Sequence, residues 1–469
     1  MASITNSNEL NLINGLMKQL EEYRMKNAKK ERYYEGKNRL QNLGIAIPDK
    51  LSGMKTAVGW AGTAVDVLNE RINLDGFSAP DNLDISSIFN ANNLDLEASL
   101  GHLDSLVYGI SYIVIGSGDK SLGEPNPLIT IESPNSMVGK YNTRTRRLDA
   151  ALKVIHEKDE AVYGTLYLPN ETITFSIVKG SYYEEMRDIH NLGVVPVVRL
   201  INRPRSSDLD GRSEISRTII SITDAGVRTF MGAEIAREFY SAPQRYLVGG
   251  NKQDFLDSDG NPIDAWSAYM GKLLITGVNE EGNNPTVGQF SANSPAPYID
   301  LINSYIQQIS SETGIPASFL GYTTANPASA DAINASQSRL IKKAEDRAQA
   351  FGKAWVEVMK LALLIRDGSV PAEAASIRPI WRSAATPTKA ADADAAVKLV
   401  QAGILLSDSE VTYTRLGFTE VEKETLRKEK KAAQTSGLIA NLATLANQTR
   451  QTNATAAELS ANNIGQTPA

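Results

Sequence analysis

Leu10, Ile13, Leu16, Leu20 and Tyr23 recur at three- and four-residue spacing near the start of the chain, with Lys and Glu between them. That period predicts an amphipathic helix over Ser7–Glu35, stopped by Gly44 and Pro48. A second helix is expected over Trp60–Arg71, carrying Ala64, Val65 and Leu68, and a third over Asn92–Leu106, with Leu96, Leu100 and Leu103 as its apolar face. From Val107 the period changes. Val107–Ile115 is rich in β-branched and aromatic residues, and the same character returns at Leu148–Ile155, Ala161–Leu168, Thr172–Val178 and Val194–Ile201. Turn chemistry at Tyr141–Thr145, Pro169–Asn170 and Val178–Gly180 separates several of these runs. The pattern predicts an antiparallel meander of about five or six strands.

Helical spacing resumes over Ser213–Tyr240, now on two sides. Ile215, Ile219, Ile222, Gly226, Phe230 and Ala233 form one stripe, and Ile220, Val227, Met231 and Ile235 another. A helix apolar on two sides has neighbours on both, inside one chain or between subunits. Ala242–Pro295 reads as a compact block with strand-like ends, and Pro297–Thr313 as a further helix through Ile299, Ile302, Tyr305, Ile306 and Ile309. A neutral stretch follows: between Glu312 and Arg339 the only charged side chain is Asp331. It leads into the longest helix, with Asn326 as N-cap, Pro327 at the first turn, and a stop at Arg366–Gly368 before Pro371. Its apolar face runs through Ile333, Leu340, Ile341, Ala344, Ala348, Phe351, Trp355, Val358 and Ala362. Roughly 40 helical residues span about 60 Å, enough to tie separate regions together. Ala390–Ala402 and Glu420–Ala433 then form a small helical region. The tail beyond, mostly Ala, Asn, Thr, Gln and Ser, is expected to be flexible apart from a short helix near Leu438–Ala446.

Composition narrows the function classes. The chain has 469 residues, enough for several modules, with 42% hydrophobic and 22% charged residues, an ordinary globular balance. Its net charge of −6 disfavours a protein that grips nucleic acid by neutralising phosphates. With no cysteine there is no disulfide, thiolate nucleophile or Cys-based zinc site. No apolar run approaches the length of about 18 residues that a membrane span needs. Met1–Asn6 lacks the basic and apolar regions of a signal peptide, so a protein made in the cytoplasm is expected.

Candidate chemistry adds little. His102, His156 and His190 lie far apart in no ligand pattern, and no phosphate-binding P-loop or nucleophile elbow is present. Asp257-Ser-Asp-Gly-Asn261 superficially resembles a calcium loop. Its glycine stands fourth rather than sixth, and Ala268 occupies the position of the bidentate glutamate, so a β-turn is the better reading. Two basic clusters, Arg144/Arg146/Arg147 and Arg427/Lys428/Lys430/Lys431, read as solvated charge on a turn and a helix, with nucleic acid or a partner as the alternative. No enzyme, cofactor or metal is expected.

Several local sequences, in order, carry a resemblance. Arg32-Tyr-Tyr-Glu-Gly-Lys-Asn-Arg-Leu40, Leu43-Gly-Ile-Ala-Ile-Pro48, Val58-Gly-Trp60 and Ala64-Val-Asp66 resemble the N-terminal region of bacteriophage portal proteins, the head–tail connectors, of long-tailed phages of actinobacterial hosts. His190-Asn-Leu-Gly-Val-Val-Pro-Val-Val198, Asn202-Arg-Pro204 and Gly211-Arg-Ser-Glu-Ile215 are similar to the run into the portal stem. Gly314-Ile-Pro316, Ala328–Ile333 and Phe351-Gly-Lys-Ala-Trp355 resemble the tunnel loop and long helix, and Ala390–Asp394, Lys398–Gly403 and Leu416-Gly-Phe418 the crown. The resemblance spans about residues 8–435 and rests on the ordered set rather than on any single motif.

The resemblance implies an α+β fold: an N-terminal region and wing over 1–212, a first stem helix over 213–241, and a small α/β clip over 242–295. It further implies a second stem helix over 296–313, a tunnel loop over 314–326, a long wing helix and wing over 327–382, and a helical crown over 383–435 before the tail at 436–469. The implied function is a homo-oligomeric ring of the dodecameric kind at one capsid vertex. Double-stranded DNA would be packaged and ejected through it, with no catalysis by the ring itself. Implied partners are the terminase large subunit, major capsid and scaffolding proteins, and a head–tail adaptor. The protein would sit in the virion, after assembly in the host cytoplasm. Tyr322, Thr323, Thr324 and Asn326 would line the channel, and Ile215, Ile219, Ile222 and Phe230 would face a neighbouring stem. The competing class is a helical scaffolding or adaptor protein that never meets DNA.

Overall fold

The computed structural model describes residues 2–38, 56–156, 162–241, 245–249, 286–289, 294–322, 330–385, 389–418 and 422–431, with isolated positions 261, 282 and 284. The chain divides into two compact units, Met1–Ala384 and Ala385–Ala469. It is a mixed fold of helices and antiparallel sheets, as expected.

The first unit begins with β1 (Ala2–Ser3) and α1 (Ser7–Tyr34), whose N-terminus is closed by Asn6 accepting a hydrogen bond from the Asn8 amide at 3.0 Å. Then come α2 (Trp60–Asn69), β2 (Leu74–Ser78), α3 (Ile85–Ala91) and α4 (Leu94–Tyr108). The strands β3 (Ile110–Gly116), β4 (Leu128–Glu132), β5 (Met137–Asn142), β6 (Arg147–His156), β7 (Val162–Tyr167), β8 (Glu171–Val178), β9 (Ser181–Ile189) and β10 (Val197–Ile201) follow. After them lie α5 (Arg217–Ser241), the antiparallel pair β11 (Arg245–Val248) and β12 (Thr286–Gln289), α6 (Ala296–Thr313), α7 (Ala330–Asp367) and β13 (Arg378–Trp381).

The expected single meander is two sheets. β5 to β9 do form an antiparallel meander, extended at its β9 edge by β1. The runs at Val107–Ile115 and Val194–Ile201 leave it: β3 pairs with β10, Val114 opposite Val197, and with β4 on its other side. Both runs are buried on two faces, which explains their unbroken apolar character. Ile13, Leu16 and Leu20 of α1 cover the meander's inner face, meeting Leu152, Leu166, Ile173 and Phe175. A larger core gathers α2, α4, β3, α5, α6 and α7.

The α4 face also departs from expectation. Leu96 and Leu100 are 71% and 56% exposed, while Leu94, Ala98, Gly101, Ser105 and Leu106 are buried. Small residues let the helix approach the three-stranded sheet; a Cβ on Gly101 would lie 3.2 Å from Ile131 Cγ2. Close fit, rather than apolar content, chooses the face.

The second unit holds α8 (Lys389–Gln401), α9 (Glu410–Arg415) and helical residues 422–431. Ser409 caps α9, its side chain accepting from the Thr412 amide at 3.2 Å. The basic cluster here is compensated: Arg427 pairs with Glu410, Lys430 with Asp408, and Lys428 with Glu424. The expected tail at 436–469, and the interior of the 242–295 block apart from its strand pair and isolated positions, lie outside the described residues.

Candidate functional site

The neutral stretch after α6 starts as a tight, anchored turn. Gly314 ends α6 in the left-handed region at φ 76°, its amide donating to Ser310 O at 2.8 Å. Thr313 Oγ1 donates to Ile309 O at 2.7 Å and accepts from the Ile315 amide at 3.2 Å. Ile315 and Leu320 are buried, 1% and 7% exposed, so the base of the stretch belongs to the core. Tyr322, half-buried, packs against that core. Thr323, Thr324 and Asn326, the last of them the expected N-cap, lie outside the described residues.

Directly beneath this turn sits a buried charge cluster centred on Glu214. Glu214, its side chain 2% exposed, lies 2.8 Å from Lys343 Nζ, 3.0 Å from Arg347 Nε and 3.6 Å from Arg203 Nη1. Asn202 Nδ2 adds a hydrogen bond to Glu214 Oε1 at 3.0 Å. Burial alone would raise this carboxyl's pKa. The charges of Lys343 and Arg347, with their hydrogen bonds and that of Asn202, outweigh it and hold the pKa at about 2. The same region of α7 closes α6: Arg339 Nη1 donates to Ser311 O at 2.5 Å and Lys343 Nζ to Thr313 O at 3.2 Å, satisfying carbonyls of the last helical turn. A cleft of about 410 Å³ opens here, bordered by Glu214, Arg203, Arg339, Lys342, Lys343 and Arg347.

Local backbone geometry explains two of the quoted motifs. Gly211, at φ 80°, passes so close to the strand end that a Cβ would lie 2.3 Å from Gly109 O. That approach lets Asn202 bind both the Arg212 carbonyl, at 2.7 Å, and Glu214. The runs Asn202–Pro204 and Gly211–Ile215 are therefore two halves of one cluster. The signal missed in the sequence was its third part, Lys343 and Arg347, one helical turn apart on α7.

The candidate stem-interface residues are placed differently from expectation. Ile215, Ile219 and Ile222 are 4%, 2% and 8% exposed inside the chain's own core. Their area is already buried within the subunit, so they have almost none to offer a neighbour. Phe230, half-buried, stands on Trp60 with ring centroids 6.3 Å apart, and Trp60 also lies over Gly226, where a Cβ would meet its ring at 2.4 Å. Trp60 therefore occupies this side of α5. On the second stripe Val227 is buried, whereas Met231 and Ile235 remain half-exposed.

The Phe351–Trp355 motif is a core device. His102, fully buried, stacks on Phe351 at 5.0 Å between centroids, and its Nε2 accepts from Trp355 Nε1 at 3.0 Å. His102 is thus a structural histidine, as its isolation in the sequence suggested.

The phage portal protein family, SPP1 Gp6-like, matches residues 16–436. The portal protein of Mycobacterium phage D29 is 36% identical over 423 residues, covering 87% of this chain and 86% of that relative. The portal protein of Mycobacterium phage L5 is 35% identical over 424 residues, with the same coverage. A chain from the virion of a native gene transfer agent particle is similar over 84% of this chain and 93% of its own, at 14% identity and a TM-score of 0.42, too distant to carry weight. On the family match and these two relatives, the chain belongs to the phage portal protein family.

Proposed function

We propose that this chain assembles into a ring at one capsid vertex and forms the channel through which double-stranded DNA is packaged and later ejected. The observation that carries the reading is the family match over residues 16–436, which runs through every expected region except the tail. The ring is a structural part of the virion, assembled in the host cytoplasm. Terminase docks on it during packaging and a head–tail adaptor afterwards, while capsid and scaffolding proteins surround it. In this reading 1–212 and 327–382 form the wing, 213–241 and 296–313 the stem helices, 242–295 the clip, 314–326 the tunnel loop and 383–435 the crown.

Two physical features support a conduit. The net charge of −6 avoids broad phosphate neutralisation, which would hold DNA still through salt-dependent contacts. The neutral stretch before α7 puts no Lys or Arg between Glu312 and Arg339. Substituting Thr323→Lys and Thr324→Lys is therefore expected to slow DNA packaging severalfold while ring assembly stays intact, since each phosphate contact adds affinity. Packaging by assembled particles, read as nuclease-protected DNA over time, checks this. Unchanged packaging would place the loop away from DNA, and particles that assemble without ever admitting DNA through this ring would favour an adaptor role.

A further inference from the structure

The second unit is short of a core. Among its described residues only Ala396, Thr412 and Lys423 are buried. Three large aliphatic side chains stand in water instead: Ile404, Leu406 and Val411 are 70%, 73% and 53% exposed. They cluster at the junction of α8 and α9. The Ile404 amide donates to Leu399 O at 3.0 Å and closes the end of α8. The Leu406 carbonyl accepts from Thr412 Oγ1 at 2.7 Å and from the Ser409 amide at 3.1 Å. That holds Leu406 against the first turn of α9, where Val411 stands. A small helical module depends on burying such side chains and has little apolar area to spare.

The chain leaves the described residues at this same junction. Helical residues 422–431 are tied to it by ion pairs, Arg427 to Glu410 and Lys430 to Asp408, and Asp408 is two positions from Leu406. Residues 432–437 then lead to Leu438-Ile-Ala-Asn-Leu-Ala-Thr-Leu-Ala446. Leu438, Ile439, Leu442, Leu445 and Ala446 recur at helical spacing on one face, with Ser436 as N-cap. No charged residue stands between Lys431 and Arg450, so burying that face desolvates no charge. A helix of about ten residues is marginal in water on its own and needs a surface to pack on.

We propose that the 438–446 segment folds as a helix onto the Ile404/Leu406/Val411 surface of its own chain and completes the core of the second unit. The tail, rather than a neighbouring copy, is the occupant because it starts beside the patch. Residues 432–437 reach about 20 Å when extended, so the local concentration of the apolar face there is on the order of millimolar. The contact needs no ring and stands apart from the conduit reading.

Hydrogen exchange of the full-length protein, read by mass spectrometry at the amides of 438–446, tests this. In wild type they are expected to exchange at least about tenfold more slowly than in an unfolded chain. Leu406→Asp and Leu442→Glu should each bring them to within about twofold of the unfolded rate. Thr444→Glu, on the opposite face of the same helix, should leave them protected, since glutamate is a good helix former at either position. Unchanged protection of the buried α7 core around Trp355 shows that each variant is folded, and Leu442→Glu alters none of the described residues. The chain has no cysteine, so Leu406→Cys combined with Leu442→Cys offers a single disulfide pairing within a chain. An intrachain link, running as a monomer on a non-reducing gel, is expected. Unprotected 438–446 amides in wild type, protection that survives Leu406→Asp, or equal losses from Leu442→Glu and Thr444→Glu would each overturn the contact. Crosslinks only between chains would overturn it as well, by giving the patch to a neighbouring copy.

Discussion

Replacing Glu214 by alanine is expected to destabilise the folded subunit by about 3–5 kcal/mol, because it strands a buried cation cluster. Lys343 and Arg347 reach Glu214 at 2.8 and 3.0 Å and would lose this buried anion. The cluster joins the strand end at Asn202, the entry to α5 and the middle of α7, so its loss loosens three elements together. The pH dependence follows from the direction of the shift. The pKa of Glu214 is lowered from 4.5 to about 2, so its contribution is complete above about 4.5 and is lost as the pH falls towards 2. Wild type and Glu214→Ala should therefore differ most near neutrality and converge in strong acid. Urea unfolding followed by tryptophan fluorescence reads this directly. A loss under about 0.5 kcal/mol at neutral pH, the scale of an exposed pair, would show that the cluster is not structural.

Acid sensitivity at milder pH is expected from His102. Burial drives its pKa from 6.5 down to about 3, with the Ile72 backbone only partly opposing, and the Trp355 N–H points at its Nε2. For a histidine lowered on folding, the unfolded chain binds a proton below about 6.5 while the folded one does not. Stability then falls by about 1.4 kcal/mol per pH unit from 6.5 towards 3, a total on the order of 4–5 kcal/mol. His102→Gln keeps an acceptor for Trp355 and removes the titration. Its stability should be flatter than wild type between pH 6.5 and 4.5, above the Glu214 window. Parallel pH profiles for the two proteins would mean that His102 takes up its proton while folded.

What was legible in the sequence follows the range of the forces involved. α1 and α7 were readable because one local period defines their buried face, from Ile13 to Leu20 and from Leu340 to Leu363. β9 was missed because Glu184, Glu185, Arg187 and Asp188 give it no apolar alternation; Arg187 is held by Glu9, Glu171 and Glu184 instead. The separation into two sheets was hidden for another reason. Val197 finds Val114 across the intervening meander, and no local pattern encodes a pairing at that distance. The α4 face failed because close approach at Gly101 outweighs the leucines at 96 and 100. Of the candidate site, the motifs around Asn202 and Glu214 were visible as words but not as partners. Ile215, Ile219 and Ile222, expected to face a neighbouring stem, lie in the chain's own core, a placement that helical spacing alone does not distinguish.

The central claim is that this chain closes into a ring with an open centre. Negative-stain electron microscopy of the purified protein, alone and with its scaffolding protein, tests it most directly. Rings with a central hole are the predicted result; monomers and dimers only, at every concentration and with scaffold present, would contradict it.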